Sequence, residues 1–384
     1  MVQPVWDVVI VGGSVAGLMC GLHCARRGLN TLILERKKEI GTPVQCAEGV
    51  VQKVLTDNGF DINPNYRYIS SIANRVRMFV PVRGMMKEIR LNMKHTQGII
   101  LDREQFEKYL AEEVTVHGGK ILLRTRVIGI KLYHNIAEVS THGMGTFYGK
   151  VLVGADGMNS LIGQSAGLTK PLSRHDYAHC VQYTIEHPQV EPETIAVFWN
   201  HVLSPNGYIW IFPKGDHRAN VGVGILADTP PEKFIATRMT IKDSLDTFIN
   251  WTFPKAKILR RTGGLVPLAK PLEHIVKDNV LIVGDAALFC QPMHGGGIGN
   301  ALLSGRLAGE TIADHIQNRY SLMEYERRIK AKIYKKLERG YRMKEKVMCG
   351  GKLNRYYYLC KFLVLLHRIF PKFIEEHAFA RIRY

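Results

Sequence analysis

An α/β fold that carries an inserted antiparallel sheet and ends in a helical segment is predicted by three features of the 384-residue sequence. The first is the stretch Trp6-Asp7-Val8-Val9-Ile10-Val11-Gly12-Gly13-Ser14-Val15-Ala16-Gly17. A continuous apolar run ending in glycines marks a parallel strand covered on both faces, with a tight turn into a helix. The second is the return of that pattern, a short apolar run closing in a Gly/Asp turn, at Lys150–Gly157 and again at Asp278–Asp285. The third is a change of character from Arg174 to Lys270, where strand-like runs at 178–186, 194–199, 208–213 and 219–226 follow one another. Together they predict a discontinuous Rossmann-type domain over residues 1–173 and 271–318, an antiparallel-sheet (α+β) domain over 174–270, and a basic helical segment over 319–384.

The first turn reads Gly12-x-Ser14-x-x-Gly17, with Gly13 and Ala16 inside it. The helix behind it, apolar at Leu18, Leu22 and Ala25 and ending at Gly28, aims its N-terminal N–H groups at the turn. That geometry suits a pyrophosphate, or it only lets helix and strand pack closely. Glu35, followed by Arg36, closes the next apolar run at about the 20-residue offset of a ribose-binding acid. A glycine- and proline-rich loop, Gly41 to Gly49, comes next. Asp102 then caps a helix with Gln105 three residues on and an apolar face of Phe106, Tyr109, Leu110 and Val114. Lys120–Arg124 supplies a third parallel strand, and Val127–Val139 alternates as a hairpin does. Gly295-Gly296-Gly297 leads into a helix over about 298–316. In the tail, Tyr325, Ile329, Ile333, Leu337 and Tyr341 recur at four-residue spacing among Lys and Arg.

Composition narrows the class. The seven cysteines are odd in number and form no Cys-x-x-Cys pair, which disfavours a disulfide framework and a zinc site; no metal is expected, and a reducing cytoplasm fits. No apolar run reaches the about 18 residues of a spanning helix, and the fold begins at Trp6-Asp7 with no leader expected before it. The net charge is +18, and residues 319–384 hold 18 Lys+Arg against 6 Asp+Glu, or +12 of it. Such asymmetry points to an anionic surface. No nucleic-acid recognition motif accompanies it, so the expected surface is a membrane. The segment is read either as a peripheral contact at the inner face of the cell membrane or as a cap over the sheet domain.

In order, the Gly12–Gly17 turn, Arg103 at a helix start, Asp156-Gly157 and Gly284-Asp285 resemble the flavin monooxygenase and reductase superfamily. Within it, the chain is similar over nearly its whole length to the geranylgeranyl reductase family. Tyr208-Ile209-Trp210-Ile211-Phe212-Pro213 looks like that family's Tyr-x-Trp-x-Phe-Pro motif, and Gln45-Cys46-Ala47-Glu48-Gly49 like its Arg-Cys-Gly-Glu-Gly loop, departing at Gln45 and Ala47. Ala286-Ala287, Pro292 and Gly295–Gly297 also agree.

The resemblance implies FAD as cofactor. Its site would comprise Gly12, Gly13, Ser14, Ala16, Gly17, Glu35, Arg36, Cys46, Ala47, Arg103 and Val127, then Asp156, Gly157, Gly284, Asp285, Pro292, Gly295, Gly296, Gly297 and Ile298. Ser14 would reach a phosphate through its hydroxyl. Tyr208, Trp210, Phe212 and Pro213 would line the substrate cavity, the three aromatics sharing one strand face by their period of two. The implied reaction reduces isolated C=C bonds of geranylgeranyl chains, such as those of membrane ether lipids. An isolated alkene resists direct hydride addition, so protonation would accompany hydride transfer from reduced flavin N5. Cys46, Glu48 and His294 are the candidates to supply or relay that proton. An external electron donor is implied without being named. Aromatic hydroxylation, halogenation and a non-catalytic lipid-binding flavoprotein remain alternatives on the same fold.

Overall fold

The computed structural model describes residues 4–230, 239–349 and 353–369; the end of the predicted tail, 370–384, lies outside them. The strand Val5–Val11 sits inside an eight-stranded sheet, parallel to Thr31–Leu34 on one side and Gly145–Gly154 on the other. Lys120–Leu122 and Val280–Ile282 extend it in parallel outward. Val8 and Ile10 pack into one core with Leu18, Met19 and Leu22, while Val9 and Val11 pack into the opposite one with Leu32, Leu34 and Val139. Coverage on both faces explains the unbroken apolar run. The helix Arg103–Val116 begins as predicted, the Asp102 side chain accepting the Gln105 N–H at 3.1 Å.

Two glycines absent from the sequence reading set the relation between the first helix, Val15–Arg26, and the late helix, Ile298–Asn318. A Cβ at Gly305 would lie 2.3 Å from the Ala16 carbonyl oxygen, and one at Gly309 2.6 Å from that of Cys20. Residue numbers rise together along this contact, so the helices run parallel. Both N-termini therefore emerge at the same end of the molecule.

The second sheet has seven strands in the order Lys257–Pro267, Tyr177–Glu186, Arg218–Leu226, Gly207–Pro213, Thr194–Phe198, Arg75–Val82 and Met85–Asn92. It reaches past the expected 174–270 span, because a hairpin at 75–92 adds two strands. It is also not wholly antiparallel, since Thr194–Phe198 pairs in parallel with Arg75–Val82. Alternation sorts its two faces. Ile209, Ile211, Val221, Val223 and Ile225 pack on Leu245, Phe248 and Ile249 of the helix Ile241–Thr252. Tyr208, Trp210, Phe212 and Gly224 line the cavity on the other side. A three-stranded sheet of Gly49–Val51, Gly98–Leu101 and Ile69–Ala73 completes the β structure described.

The tail returns along the molecule. Tyr325, Ile329, Ile333 and Leu337 are all buried, although a strict period of four drifts off one face of a 3.6-residue helix. A π-helical turn at Lys330–Tyr334 under-winds the chain and keeps them in one row. By Tyr341 the row has drifted to half-burial, and the residue enclosed in that turn is Lys344. Its ammonium donates to the carbonyls of His175 and Leu268, each at 3.1 Å. His175 itself bridges Asp228 at 2.5 Å and Glu345 at 2.8 Å, tying tail to sheet. The Asp228 hydrogen bond is the leading cause raising its pKa above the ordinary 6.5. The raised value means that folding favours the charged ring. The stabilisation is complete below pH 6.5 and is lost as pH rises through the higher folded value. Thermal unfolding of wild type against His175→Gln should therefore differ most at mildly acid pH and converge as pH rises. A difference independent of pH would exclude the charged bridge.

Candidate functional site

A cavity of about 990 Å³ opens between the two large sheets. At its floor stands the first glycine turn. Gly12 has φ +112°, and a Cβ there would lie 2.2 Å from the Ala155 carbonyl oxygen; one at Gly17 would lie 1.9 Å from that of Gly12. The turn admits only glycine at these positions. Ser14 occupies the N-cap position without capping: its hydroxyl donates to Glu107 at 2.6 Å and accepts from Arg103 at 2.9 Å. Ser14 lines the cavity, and this clasp fixes the direction of its hydroxyl. Gly297, the N-cap of the late helix, has no side chain to offer. Two parallel helices therefore present uncapped N–H groups to one cavity, each an attraction for negative charge of about 0.3–1 kcal/mol or more. This donor set fits FAD: the first N-terminus would hold the pyrophosphate, and the second would suit the anionic edge of the reduced flavin. Gly17→Ala is expected to yield folded protein without the flavin absorbance band; full flavin content would show that the turn can yield.

Asp285 projects into the cavity from a turn otherwise buried; burial raises its pKa, and the nearby Arg103 opposes that. Glu35 is buried at the end of its strand, accepting the Gly13 N–H at 2.6 Å and the Lys37 N–H at 2.8 Å. Arg36 is exposed beside it. Val127 follows closely, because the Thr125 N–H donates to the Glu35 carbonyl at 2.8 Å. Arg36 and Val127 stay outside the enclosed space, at the edge where the adenosine half would lie. Asp156 also turns from the cavity: its carboxylate accepts from Ser160 at 2.6 Å and from the Ile162 N–H at 3.1 Å, capping the next turn, while Gly157 faces the space. Gly284 donates its N–H to Ser304 and supports the Asp285 turn from behind. Pro292 is buried in the turn carrying Met293 and His294, and those two neighbours line the cavity with Gly295, Gly296, Gly297 and Ile298.

The loop Val44–Glu48 is bound both to the second sheet and to the start of the helix Arg103–Val116. Thr262 donates to the Val44 carbonyl at 3.0 Å and Gln182 to the Cys46 carbonyl at 2.9 Å. Three donors converge on the Glu48 carboxylate: Lys214 at 2.5 Å, Asn220 at 2.6 Å and the Arg103 N–H at 2.9 Å. With its oxygens so engaged, Glu48 anchors the loop and is not placed as the proton donor that the sequence suggested. Its backbone has φ +73°, and its N–H donates to the Cys46 Sγ at 3.2 Å. The Arg103 guanidinium is close enough for its charge to interact with that thiol. Burial works against the Arg103 charge, and Glu107 and Cys46 outweigh it, holding its pKa above the ordinary value.

The aromatic strand forms the facing wall. The Trp210 indole N–H donates to Gln182 at 2.9 Å, the same residue that holds the Cys46 carbonyl. Gly222 makes room for the ring, since a Cβ there would lie 2.2 Å from Trp210 Cζ2. The Tyr208 hydroxyl donates to the His294 carbonyl at 2.5 Å, and burial pushes its pKa up. The His294 Nδ1 accepts the Gly296 N–H at 3.2 Å. Phe212 covers Gly49, where a Cβ would meet its ring at 2.6 Å, and Pro213 accepts from Ser71 through its carbonyl. Gln182, Lys214, Asn220 and Thr262 escaped the sequence reading, as did Cys180 and Cys290; of these six, Gln182, Thr262, Cys180 and Cys290 line the cavity. The available signal was their position: Gln182 and Asn220 stand on the same alternating faces as the cavity glycines, and Lys214 follows Pro213 directly.

Comparison with known proteins agrees with this geometry. Residues 7–202 match the family model for FAD dependent oxidoreductases, and residues 176–266 that for the geranylgeranyl reductase catalytic domain. A digeranylgeranylglycerophospholipid reductase of Methanothrix thermoacetophila is 32% identical over 351 residues, covering 88% of this chain and 86% of that protein. Digeranylgeranylglycerophospholipid reductase 2 of Methanothermobacter thermautotrophicus is 34% identical over 354 residues, 88% and 87% of the two chains. The crystal structure of a geranylgeranyl bacteriochlorophyll reductase-like protein from Thermoplasma acidophilum superimposes with a TM-score of 0.82 at 29% identity, over 92% and 91%. A probable FAD-dependent monooxygenase of Pseudomonas aeruginosa shares the fold alone, at 16% identity and a TM-score of 0.69. The chain belongs to the geranylgeranyl reductase family of FAD-dependent oxidoreductases, enzymes acting on C=C bonds.

Proposed function

We propose that the enzyme saturates the isolated double bonds of geranylgeranyl chains on a glycerol ether phospholipid. The observation that carries this reading is the apolar wall of Tyr208, Trp210 and Phe212, set across one cavity from two uncapped helix N-termini and from the Cys46 thiol. Bound FAD, in its reduced form, supplies the hydride. The chain's own residues do the rest. The aromatic wall holds the alkene, excludes water and offers π-faces to positive charge developing at the more substituted carbon. The Cys46 thiol gives a proton to the less substituted one. The N–H of Glu48, which donates to Sγ, and the nearby positive charge of Arg103 stabilise the charge left behind. His294, on the same wall, is a second group with an exchangeable proton.

The test is anaerobic incubation of dithionite-reduced holoenzyme with a digeranylgeranylglycerol phospholipid, followed by mass spectrometry. A gain of H2 per double bond is expected. An unchanged lipid beside reduced flavin would overturn the reading.

The substrate's residence in a bilayer, and the basic tail, support peripheral membrane contact. No helix among the described residues is long and apolar enough to cross a membrane. Of the two alternatives for the tail, the helix Leu353–Ile369 has a cap's inner face, and its outer face supports the membrane reading. Tyr357, Cys360 and Val364 pack on Val80, Val82, Ile89 and Trp199 as a cap. Tyr358, Leu359, Phe362 and Leu365 are left exposed as an outer apolar row with Lys361 between them, a pattern suited to the headgroup region. Flotation with anionic liposomes should exceed that with zwitterionic ones; equal recovery would remove the electrostatic contact.

A further inference from the structure

Gln182 takes no part in the proton and hydride steps above, yet it is buried, 6% exposed, at the middle of the strand Tyr177–Glu186. It stands directly opposite Thr262 on one neighbouring strand and Gly222 on the other, and Gly222 stands opposite Trp210 on the next. Opposed residues share a sheet face, so Thr262, Gln182, Gly222 and Trp210 form one row across four strands. Thr262, Gln182 and Trp210 line the cavity.

One amide joins the parts of this row. Trp210 lies two strands from Gln182, about 10 Å at the usual strand spacing. Its indole crosses that gap because Gly222 has no side chain: a Cβ there would lie 2.2 Å from Cζ2 and 2.5 Å from Cε2. The indole N–H then donates to the Gln182 Oε1 at 2.9 Å, while Nε2 donates to the Cys46 carbonyl, also at 2.9 Å. An indole N–H only donates and a carbonyl only accepts, so the partners fix which way the amide points. Rotating it breaks both bonds. The other donors from the second sheet end elsewhere: Thr262 on the Val44 carbonyl, Lys214 and Asn220 on the Glu48 carboxylate. Among the tethers described, Gln182 alone reaches both Cys46 itself and an aromatic of the wall.

Resting on the reading of Cys46 as proton donor, we propose that Gln182 is a positioning residue of the reaction. It sets the thiol relative to the ring on which the alkene rests, so that the proton meets the carbon that the wall presents.

The test is single-turnover reduction of a digeranylgeranylglycerol phospholipid by dithionite-reduced holoenzyme at saturating lipid. Gln182→Leu removes both hydrogen bonds at similar volume and slows the reaction about 10- to 100-fold, the cost of a misplaced group. In a Cys46→Ala background the same change costs much less, because no thiol is left to position. Gln182→Glu gives a signature of its own. Neutral, its carboxyl keeps a donor and an acceptor in the place of the amide; ionised, it turns negative charge and no donor toward the Cys46 carbonyl. Its rate therefore approaches that of wild type at acid pH and falls as pH rises through the burial-raised pKa of the new carboxyl, a step absent from the wild-type profile. Should Gln182→Leu fail to fold, this step decides alone. A wild-type rate in Gln182→Leu, an undiminished cost in the Cys46→Ala background, or a Gln182→Glu profile matching wild type overturns the assignment and leaves the substrate reading standing. Wild type that leaves the lipid unreduced overturns that reading, and the assignment with it.

Discussion

Replacing Cys46 with alanine is expected to slow single-turnover alkene reduction by about 100- to 10,000-fold, the usual contribution of a positioned acid. The thiol is half-buried on a loop that the second sheet holds through Gln182 and Thr262, and the Glu48 N–H donates to its sulfur. Alanine removes the proton and the acceptor while leaving these tethers, which end on backbone carbonyls, intact. Flavin content should therefore stay that of wild type, so the slowed rate reads chemistry. Cys46→Ser keeps an O–H in place and should recover part of the rate. A Cys46→Ala enzyme that reduces lipid at the wild-type rate would move the proton donor elsewhere, with His294 next in line.

Glu48→Ala should produce the largest loss of stability of any single change at the site. It strands the Lys214 ammonium, the Asn220 amide and the Arg103 N–H, all directed at one buried carboxylate. Removing one partner of a buried pair costs about 3–5 kcal/mol, because the other charge stays behind uncompensated. The denaturation midpoint should fall accordingly, and flavin should dissociate more readily because the loop loses its anchor. Glu48→Met with Lys214→Met removes both charges and should regain much of the loss. Unaltered stability of Glu48→Ala would mean that water replaces the carboxylate there. The prediction follows from Glu48 being an anchor; a freely titrating proton donor could be lost at little structural cost.

Local patterns were legible in the sequence. The Val8–Val11 run, the Asp102 cap and the late helix need only neighbouring residues to declare themselves, and the structure forms them as read. The hairpin at 75–92 was not seen, although Val76, Met78, Val80 and Val82 alternate and Arg83-Gly84 supplies two successive positive φ angles for a tight turn. Its membership in the second sheet depends on parallel pairing with Thr194–Phe198, more than a hundred residues on, and no local pattern encodes such a partner. The site divides likewise. Motif spacing located the glycine turn, Asp285, Cys46 and the aromatic strand. The tethers were hidden because Gln182, Asn220 and Thr262 bond to a loop over 130 residues away in sequence. Glu48 and Lys214 each lay in or beside a recognised motif, yet their pairing joins the two motifs and belongs to neither alone.

The Val44–Glu48 loop joins the two halves of the cavity. Gln182, Lys214, Asn220 and Thr262 hold it from the second sheet, and Arg103, which also holds Ser14 in the glycine turn, takes the Glu48 carboxylate from the other side. Cys46 therefore stands at a seam, its place set by the aromatic wall and by the glycine turn together, and a change in either half is felt at the thiol.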